Sequence, residues 1–253
     1  KYSRLLNSVN SYNPIDISNK NISYNKNKYF SFLGIFLSFS VFCFLLLFLI
    51  FILLYLSNIN FQTRLSYSYP NKINEFTVSW SDIFKHKNIH LEYHKEDNPQ
   101  KIIRIKPTTV KYDRNIIPKY VYRANMTDLE YNTWYNYNLK TSSGTSQTFK
   151  FKVPEQFENG FKILFFGDLG VKEDISRNQI INEIKTYNYR FMFHLGDLAY
   201  NLQENIGFQG DIFLSRMQEA ASKVPYMVIP GNHENWDNFS NYIYRFSMPN
   251  YQV

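Results

Sequence analysis

Cysteine is all but missing: Cys43 stands alone in 253 residues, inside an apolar run, so an internal disulfide framework is excluded and cysteine usage leaves the redox compartment open. Alanine and glycine are displaced by Asn, Lys, Ile, Tyr and Phe, the bias of an A+T-rich coding sequence, which strips single Asn or Tyr residues of weight. Charge is absent from residues 29–58. Of the net +7, residues 1–28 carry +4 (Lys1, Arg4, Lys20, Lys26 and Lys28 against Asp16), which leaves +3 for residues 59–253. So mixed a surface gives no reason to expect a nucleic-acid partner. Histidine does not recur after His233, and the chain opens on Lys1 and stops at Val253, ends expected of a fragment.

What is present begins with a membrane signal. Phe30 to Leu56 is almost wholly apolar; as a helix it would be about 40 Å long, enough to cross a hydrocarbon core of about 30 Å with tilt. The apolar core of a cleavable signal peptide is shorter, about 7–15 residues, so residues 29–57 read as an uncleaved signal-anchor. Lys26 and Lys28 precede it closely, while the next basic residue after it is Arg64. The positive-inside rule then puts the 1–28 tail in the cytosol and everything after the span in a lumen or outside the cell, a single-pass type II arrangement. Two sequons on that side, at Asn125 and Asn238, are glycosylation candidates.

Residues 67–155 read as all-β. Phe76–Trp80, Ile89–His94, Lys101–Ile105 and Lys119–Arg123 alternate, punctuated by turn residues such as Asn98-Pro99 and Ser142-Ser143-Gly144. Leu129-Glu130-Tyr131-Asn132-Thr133-Trp134-Tyr135 resembles the Leu-x-Pro-x-Thr-x-Tyr corner of fibronectin type III sandwiches, with Tyr131 in the place of Pro and Trp80 as the early core tryptophan. His86, His90 and His94 recur every four residues, but on a strand only His90 and His94 share a face, with Glu92 between them, so a solvated strand face is favoured over a metal site.

From residue 160 onward the pattern changes. Apolar runs Phe161–Phe166, Arg190–Leu195 and Pro225–Pro230 each end in a short loop: Gly167-Asp168-Leu169-Gly170, Gly196-Asp197-Leu198-Ala199-Tyr200 and Gly231-Asn232-His233-Glu234. Between them, roughly Asp174–Tyr187 and Asp211–Ser222 carry helical patterning. Strand, loop, helix in that order implies a parallel β-α-β-α-β sheet with all three loops at one edge. Two carboxylates, a phenol, an amide and an imidazole would then converge, a donor set suited to a pair of metal ions. Position 170 is Gly where most metallophosphoesterases have the histidine of Asp-x-His; Tyr200, three residues after Asp197, offers a replacement donor, and a tyrosinate prefers a ferric ion. His194 reads as structural or as a support behind the site, and Glu234 as structural.

These three motifs in order, preceded by the β-rich segment, resemble the purple acid phosphatases over about residues 67–253. The resemblance implies that residues 160–253 are the N-terminal part of a metallophosphoesterase catalytic domain. It implies Fe(III) plus a divalent metal (Zn, Mn or Fe(II)), with Asp168 on iron, Asp197 bridging, Tyr200 completing part of the iron shell, Asn232 on the divalent metal and His233 as the catalytic histidine. The implied reaction is hydrolysis of phosphate monoesters by a metal-held hydroxide. The family also needs three later histidines, and a second half of the sandwich that covers the first parallel strands; no histidine follows His233. Two rivals therefore stay open: a catalytically inactive, membrane-tethered binding module, and a Mn- or Zn-dependent metallophosphoesterase acting on diesters or nucleotides.

Overall fold

The computed structural model of the protein describes residues 34–52, 62–113, 118–141, 144–156, 160–172 and 174–249. Gly34–Ile52 forms helix α1 of 19 residues, about 29 Å at 1.5 Å per residue, long and apolar enough to cross a membrane. Its large side chains, Phe36, Phe42 and Phe44 among them, are exposed. The flanks of the expected span, 30–33 and 53–56, lie outside the described residues, as do the tail 1–28 and the last residues 250–253.

The second unit opens with nine strands: β1 (Arg64–Tyr69), β2 (Lys72–Asp82), β3 (His90–Lys95), β4 (Ile103–Ile105), β5 (Thr108–Tyr112), β6 (Lys119–Met126), β7 (Trp134–Thr141), β8 (Gly144–Thr145) and β9 (Phe149–Lys152). They form two antiparallel sheets. One has the order β1-β2-β6-β5; the other has β4-β3-β7, with β8 and β9 both paired to β7. Alternate residues turn inward from both, so Phe76, Val78 and Trp80 meet Leu91, Tyr93, Tyr137 and Leu139 in one core. Trp80 is fully buried and stacks on Tyr122, ring centroids 5.5 Å apart. The Tyr135 hydroxyl accepts the Glu130 N–H at 3.0 Å, tying the turn before β7 to the strand itself.

The sequence reading separates four strands in this stretch, where the described residues form nine. β7 alternates Tyr and Leu against Asn and Lys, a pattern that the Tyr- and Asn-rich composition conceals. His86 lies before β3 and contacts Asp82 at 2.7 Å, while His90 and Glu92 meet on the strand at 3.2 Å and the Glu92 carboxylate also accepts from Arg104.

Then come β10 (Lys162–Phe166), α2 (Asp174–Thr186), β11 (Tyr189–Leu195), α3 (Phe208–Ala221), β12 (Tyr226–Ile229) and α4 (Trp236–Arg245). β10, β11 and β12 pair in parallel in that order. Leu164, Phe166, Met192, Tyr226 and Val228 pack against Ile180, Ile181 and Ile184 of α2 and Phe213, Leu214 and Met217 of α3. The opposite face stays open: Phe165, Leu195 and Ile229 are each more than two-fifths exposed. His194 is wholly buried among Phe166, Phe213 and Tyr226, its Nδ1 2.7 Å from the Tyr226 hydroxyl, and burial pushes its pKa down to about 3.

The sandwich and the parallel sheet share a polar seam. Tyr67 donates to the Arg190 carbonyl, Tyr137 to the Ser222 carbonyl, and Arg123 to the Ile243 and Tyr244 carbonyls. This explains why Thr77 and Ser79, the polar alternates of β2, are buried: that face of the sheet meets the α4 end, where Ser79 donates to Ser247. At the centre Asp211 on α3, 1% exposed, bonds Lys119 of β6 and the Arg245 guanidinium, the latter at 2.6 Å. Burial alone would raise the Asp211 carboxyl; Arg245 and then Lys119 reverse that and hold it below its ordinary value.

Removing one partner of such a buried pair strands the other charges, at a cost of about 3–5 kcal/mol. Asp211→Asn is therefore expected to lower stability by about that much in urea unfolding at neutral pH, while Asp113→Asn, from the exposed Lys111 pair, stays within about 0.5 kcal/mol. Because the folded carboxyl sits below its unfolded value of about 3.9, its contribution is present above that pH. The difference between wild type and Asp211→Asn should therefore shrink as pH falls below that value and through the lower pKa of the folded carboxyl.

Candidate metal centre

Each loop of interest follows the carboxyl end of a parallel strand, where the backbone leaves the ladder and its groups are free to reach outward. Two backbone bonds lock the first loop to the second, Asp168 N–H to the Gly196 carbonyl at 3.2 Å and Gly170 N–H to the Leu198 carbonyl at 2.9 Å. The third loop, a short 3-10 turn over Asn232–Glu234, joins the second through one side chain. The Glu234 carboxylate, 1% exposed, accepts the N–H of Asp197 and of Gly231 at 2.9 Å each and of Leu198 at 3.0 Å. Glu234 is thus the clamp that sets the position of Asp197 relative to Asn232 and His233.

Within this frame the Tyr200 side chain meets those of Asp168 and His233, and Asp197 meets the backbone of His233. The Tyr200 hydroxyl donates to Asp168 Oδ1 at 3.0 Å. Asp197 Oδ1 accepts the His233 N–H at 3.1 Å. The Tyr200 and His233 rings lie 4.7 Å apart, edge to face. Asn232 shares the turn with His233, and its side chain is exposed. Asp168, Asp197 and Tyr200 all hold positive φ, 53°, 50° and 47°, a left-handed conformation that costs a branched-backbone residue of order 1 kcal/mol and gathers at functional sites. Hydrogen bonding to Asp168 raises the Tyr200 phenol above its ordinary value.

Gly170 explains how the Tyr200 phenol comes to stand beside Asp168. A Cβ at Gly170 would lie 2.9 Å from Tyr200 Cδ2, and its φ is +67°. The ring fills the space that a side chain at 170 would need, so glycine at 170 and tyrosine at 200 are one arrangement. Gly231 has a similar constraint, since a Cβ there would sit 2.2 Å from Asp197 Oδ1.

The donor set fits hard cations: two carboxylates, a phenol and an amide oxygen. Oxygen ligands about 2.1 Å from one octahedral cation lie about 3 Å apart, the spacing that Asp168 and Tyr200 already have. Among the described residues no group of three or more His, Cys, Asp and Glu is gathered to hold a metal; a metal at these loops would also need the oxygens of Tyr200 and Asn232. Asn201, which the sequence reading passes over, adds a polar contact: its Oδ1 is 2.9 Å from His233 Nδ1. Its place directly after Tyr200 was the available signal, hidden by the abundance of Asn. His194 touches none of these loops through a hydrogen bond; its partner is Tyr226.

Comparison with known proteins bears on the family and the fold. The model of the purple acid phosphatase N-terminal domain matches residues 61–153, and that of calcineurin-like phosphoesterases matches residues 161–253. The chain belongs to the purple acid phosphatase family. Acid phosphatase type 7 of Danio rerio is 34% identical over 194 residues, 72% of this chain and 42% of that protein. "Probable inactive purple acid phosphatase 27" of Arabidopsis thaliana is 30% identical over 148 residues, 49% of this chain and 23% of that protein. Among solved structures, purple acid phosphatase PPD1 of yellow lupin (Lupinus luteus) shares the fold with a TM-score of 0.64 and 21% identity, covering 74% of this chain and 40% of that one. The chain thus spans about two-fifths of the length of the type 7 acid phosphatase that it matches.

The clamp can be tested without any metal. Glu234→Ala leaves three backbone N–H groups without their acceptor, at about 1–3 kcal/mol for each that stays dry. The expected outcome is a loss of about 2–4 kcal/mol in thermal unfolding and faster amide exchange at Asp197, Leu198 and Gly231, with the sandwich amides of β2 and β6 unchanged.

Proposed function

We propose that the protein is a metal-dependent phosphoesterase of the acid phosphatase type, acting on phosphate monoesters. The observation that carries this is the contact of Tyr200 with Asp168 across Gly170, which supports a first metal held by a phenol and a carboxylate. In this reading Asp168, Asp197, Tyr200 and Asn232 hold Fe(III) and a divalent ion (Zn, Mn or Fe(II)). When bound, such a pair supplies positive charge to the phosphoryl oxygens and acidifies a water.

The chain's own residues do the rest. A carbonyl oxygen can only accept, so Asn201 Oδ1 implies that His233 Nδ1 carries its proton and leaves Nε2 to face the substrate. His233 can there hold a phosphate oxygen or pass a proton to the departing alcohol. Tyr200 packs edge-on against its ring and limits its rotation. Asn201 is in this reading a positioning residue.

The same proposal assigns residues 67–155 to a fibronectin type III-like sandwich, supported by the bond from Glu130 N–H to Tyr135. It assigns residues 160–253 to the N-terminal part of the catalytic domain. It makes residues 29–57 a type II anchor with the phosphoesterase in the lumen or outside the cell, supported by the apolar helix α1. Asn125 and Asn238 are exposed, as glycan carriers need to be. A second reading, an inactive binding module, draws on the similarity to the Arabidopsis relative.

The natural gene product, loaded with ferric iron and zinc, is expected to be coloured by tyrosinate-to-iron charge transfer and to hydrolyse monoesters in preference to diesters. Tyr200→Phe should abolish the visible band. His233→Ala should keep it while lowering turnover roughly 10²-fold. A colourless oxidised protein sinks the ferric assignment, a coloured protein without turnover favours the inactive module, and preference for diesters favours the Mn- or Zn-dependent rival. For the topology, a glycosidase-sensitive mass that disappears in Asn125→Gln/Asn238→Gln is expected from protein made in a eukaryotic secretory system.

A further inference from the structure

The parallel sheet has a second edge, where its strands begin, and a cleft of about 850 Å³ opens there against the sandwich. Strand β10 runs five residues from that edge to the loop of Asp168, about 17 Å at 3.3 Å per residue, so the cleft is separate from the candidate metal centre. Among the described residues six cations line it, Lys150 and Lys152 from β9 and Lys162, Lys185, Arg190 and Lys223 from the α/β part, against the carboxylate of Glu155. With Glu96 and Glu219, which pair with Lys150 and Lys185, counted beside Glu155, the described groups leave three positive charges here, as many as the whole of residues 59–253 carries. The charge of the globular unit is therefore concentrated here and balanced elsewhere.

Three of these cations are held in place by aromatic rings of the same cleft. Lys150 Nζ lies 4.6 Å from the Trp134 centroid, Lys162 Nζ 4.6 Å from that of Tyr187, and Arg190 Cζ 4.6 Å from that of Phe161. A cation parked on a ring keeps its charge but loses rotamer freedom before any ligand arrives. Two cations also meet acids outside the lining, Lys150 with Glu96 at 2.5 Å and Lys185 with Glu219. Lys152 and Lys223 are half-buried in the cleft, where screening by salt is weaker than on an open face.

We propose that this cleft is a second anion site, distinct from the three motif loops, for a ligand bearing several phosphate or sulfate groups. Its volume is that of a small-ligand site, in the range of about 300–1,000 Å³. Its charges are mostly lysine, point donors suited to compact tetrahedral oxyanions rather than to planar carboxylates. A single phosphate could engage only part of a lining spread over two layers of the fold, so the ligand has more than one charged group. An oligophosphate and a sulfated oligosaccharide satisfy the same chemistry.

Isothermal titration of the full chain in detergent micelles, in chelator and about 0.15 M salt, tests this with inorganic tripolyphosphate and a heparin octasaccharide in separate arms. At least one probe is expected to bind with unit stoichiometry. Lys152→Glu/Lys223→Glu should weaken it by about tenfold or more, whereas Lys87→Glu/Lys101→Glu, with the same change in net charge at exposed sites, stays within about twofold. Lys152→Gln/Lys223→Gln should fall between them, with melting temperatures unchanged throughout. Binding of tripolyphosphate alone assigns the site to phosphate ligands, binding of heparin alone to sulfated glycans, and both support it. Binding lost in Asp168→Asn but kept in Lys152→Glu/Lys223→Glu puts the ligand at the motif loops and overturns the proposal. So does equal weakening by both charge-reversal pairs, or no binding of either probe.

Discussion

The candidate centre depends on one buried carboxylate. Glu234 accepts three N–H groups from two loops that are 36 residues apart at Asp197 and His233, and it does so while 1% exposed. A carboxylate buried this deeply is stable only if its oxygens are satisfied. Backbone donors satisfy them here, so the side chain and the two loops order each other. Asp197 is thereby held at positive φ and presents one oxygen to the His233 N–H. A metal ligand that had to find this conformation by itself would lose affinity to conformational entropy.

The place of Tyr200 beside Asp168 is decided by space. Gly170 yields its side-chain volume to the Tyr200 ring, and the phenol reaches Asp168 only because that volume is free. The same ring then borders His233. The Tyr200 ring therefore links the first loop to His233 of the third.

The seam between sandwich and parallel sheet has a comparable centre in Asp211, caught between Lys119 of one layer and Arg245 of the other. Its polar bonds, from Tyr67, Tyr137 and Arg123 to backbone carbonyls across the boundary, are directional, and they fix how the two layers meet. That fixed meeting creates the basic cleft at the far edge of the sheet, with Lys150 and Lys152 on one wall and Lys162, Arg190 and Lys223 on the other. The two ends of the parallel strands thus have opposite character: acidic and phenolic donors where the strands finish, cations where they start.

Reading the residues in order was enough for whatever depends on local pattern. An unbroken apolar run announces a helix such as α1, and a Gly-Asp or Gly-Asn loop after each apolar strand marks where Asp168, Asp197 and Asn232 leave the sheet, because strand period and turn chemistry act over a few residues. Strands such as β7 were lost in a Tyr- and Asn-rich background, whose alternation is weak in any one window. Only the tertiary structure decided the rest: that Tyr200 lies on Gly170, that Glu234 clamps two loops, that Asn201 faces His233, and that Asp211 closes the seam. Each of these joins groups brought together by packing, and distance in space between residues far apart in the chain is set by the whole core, which no short stretch encodes.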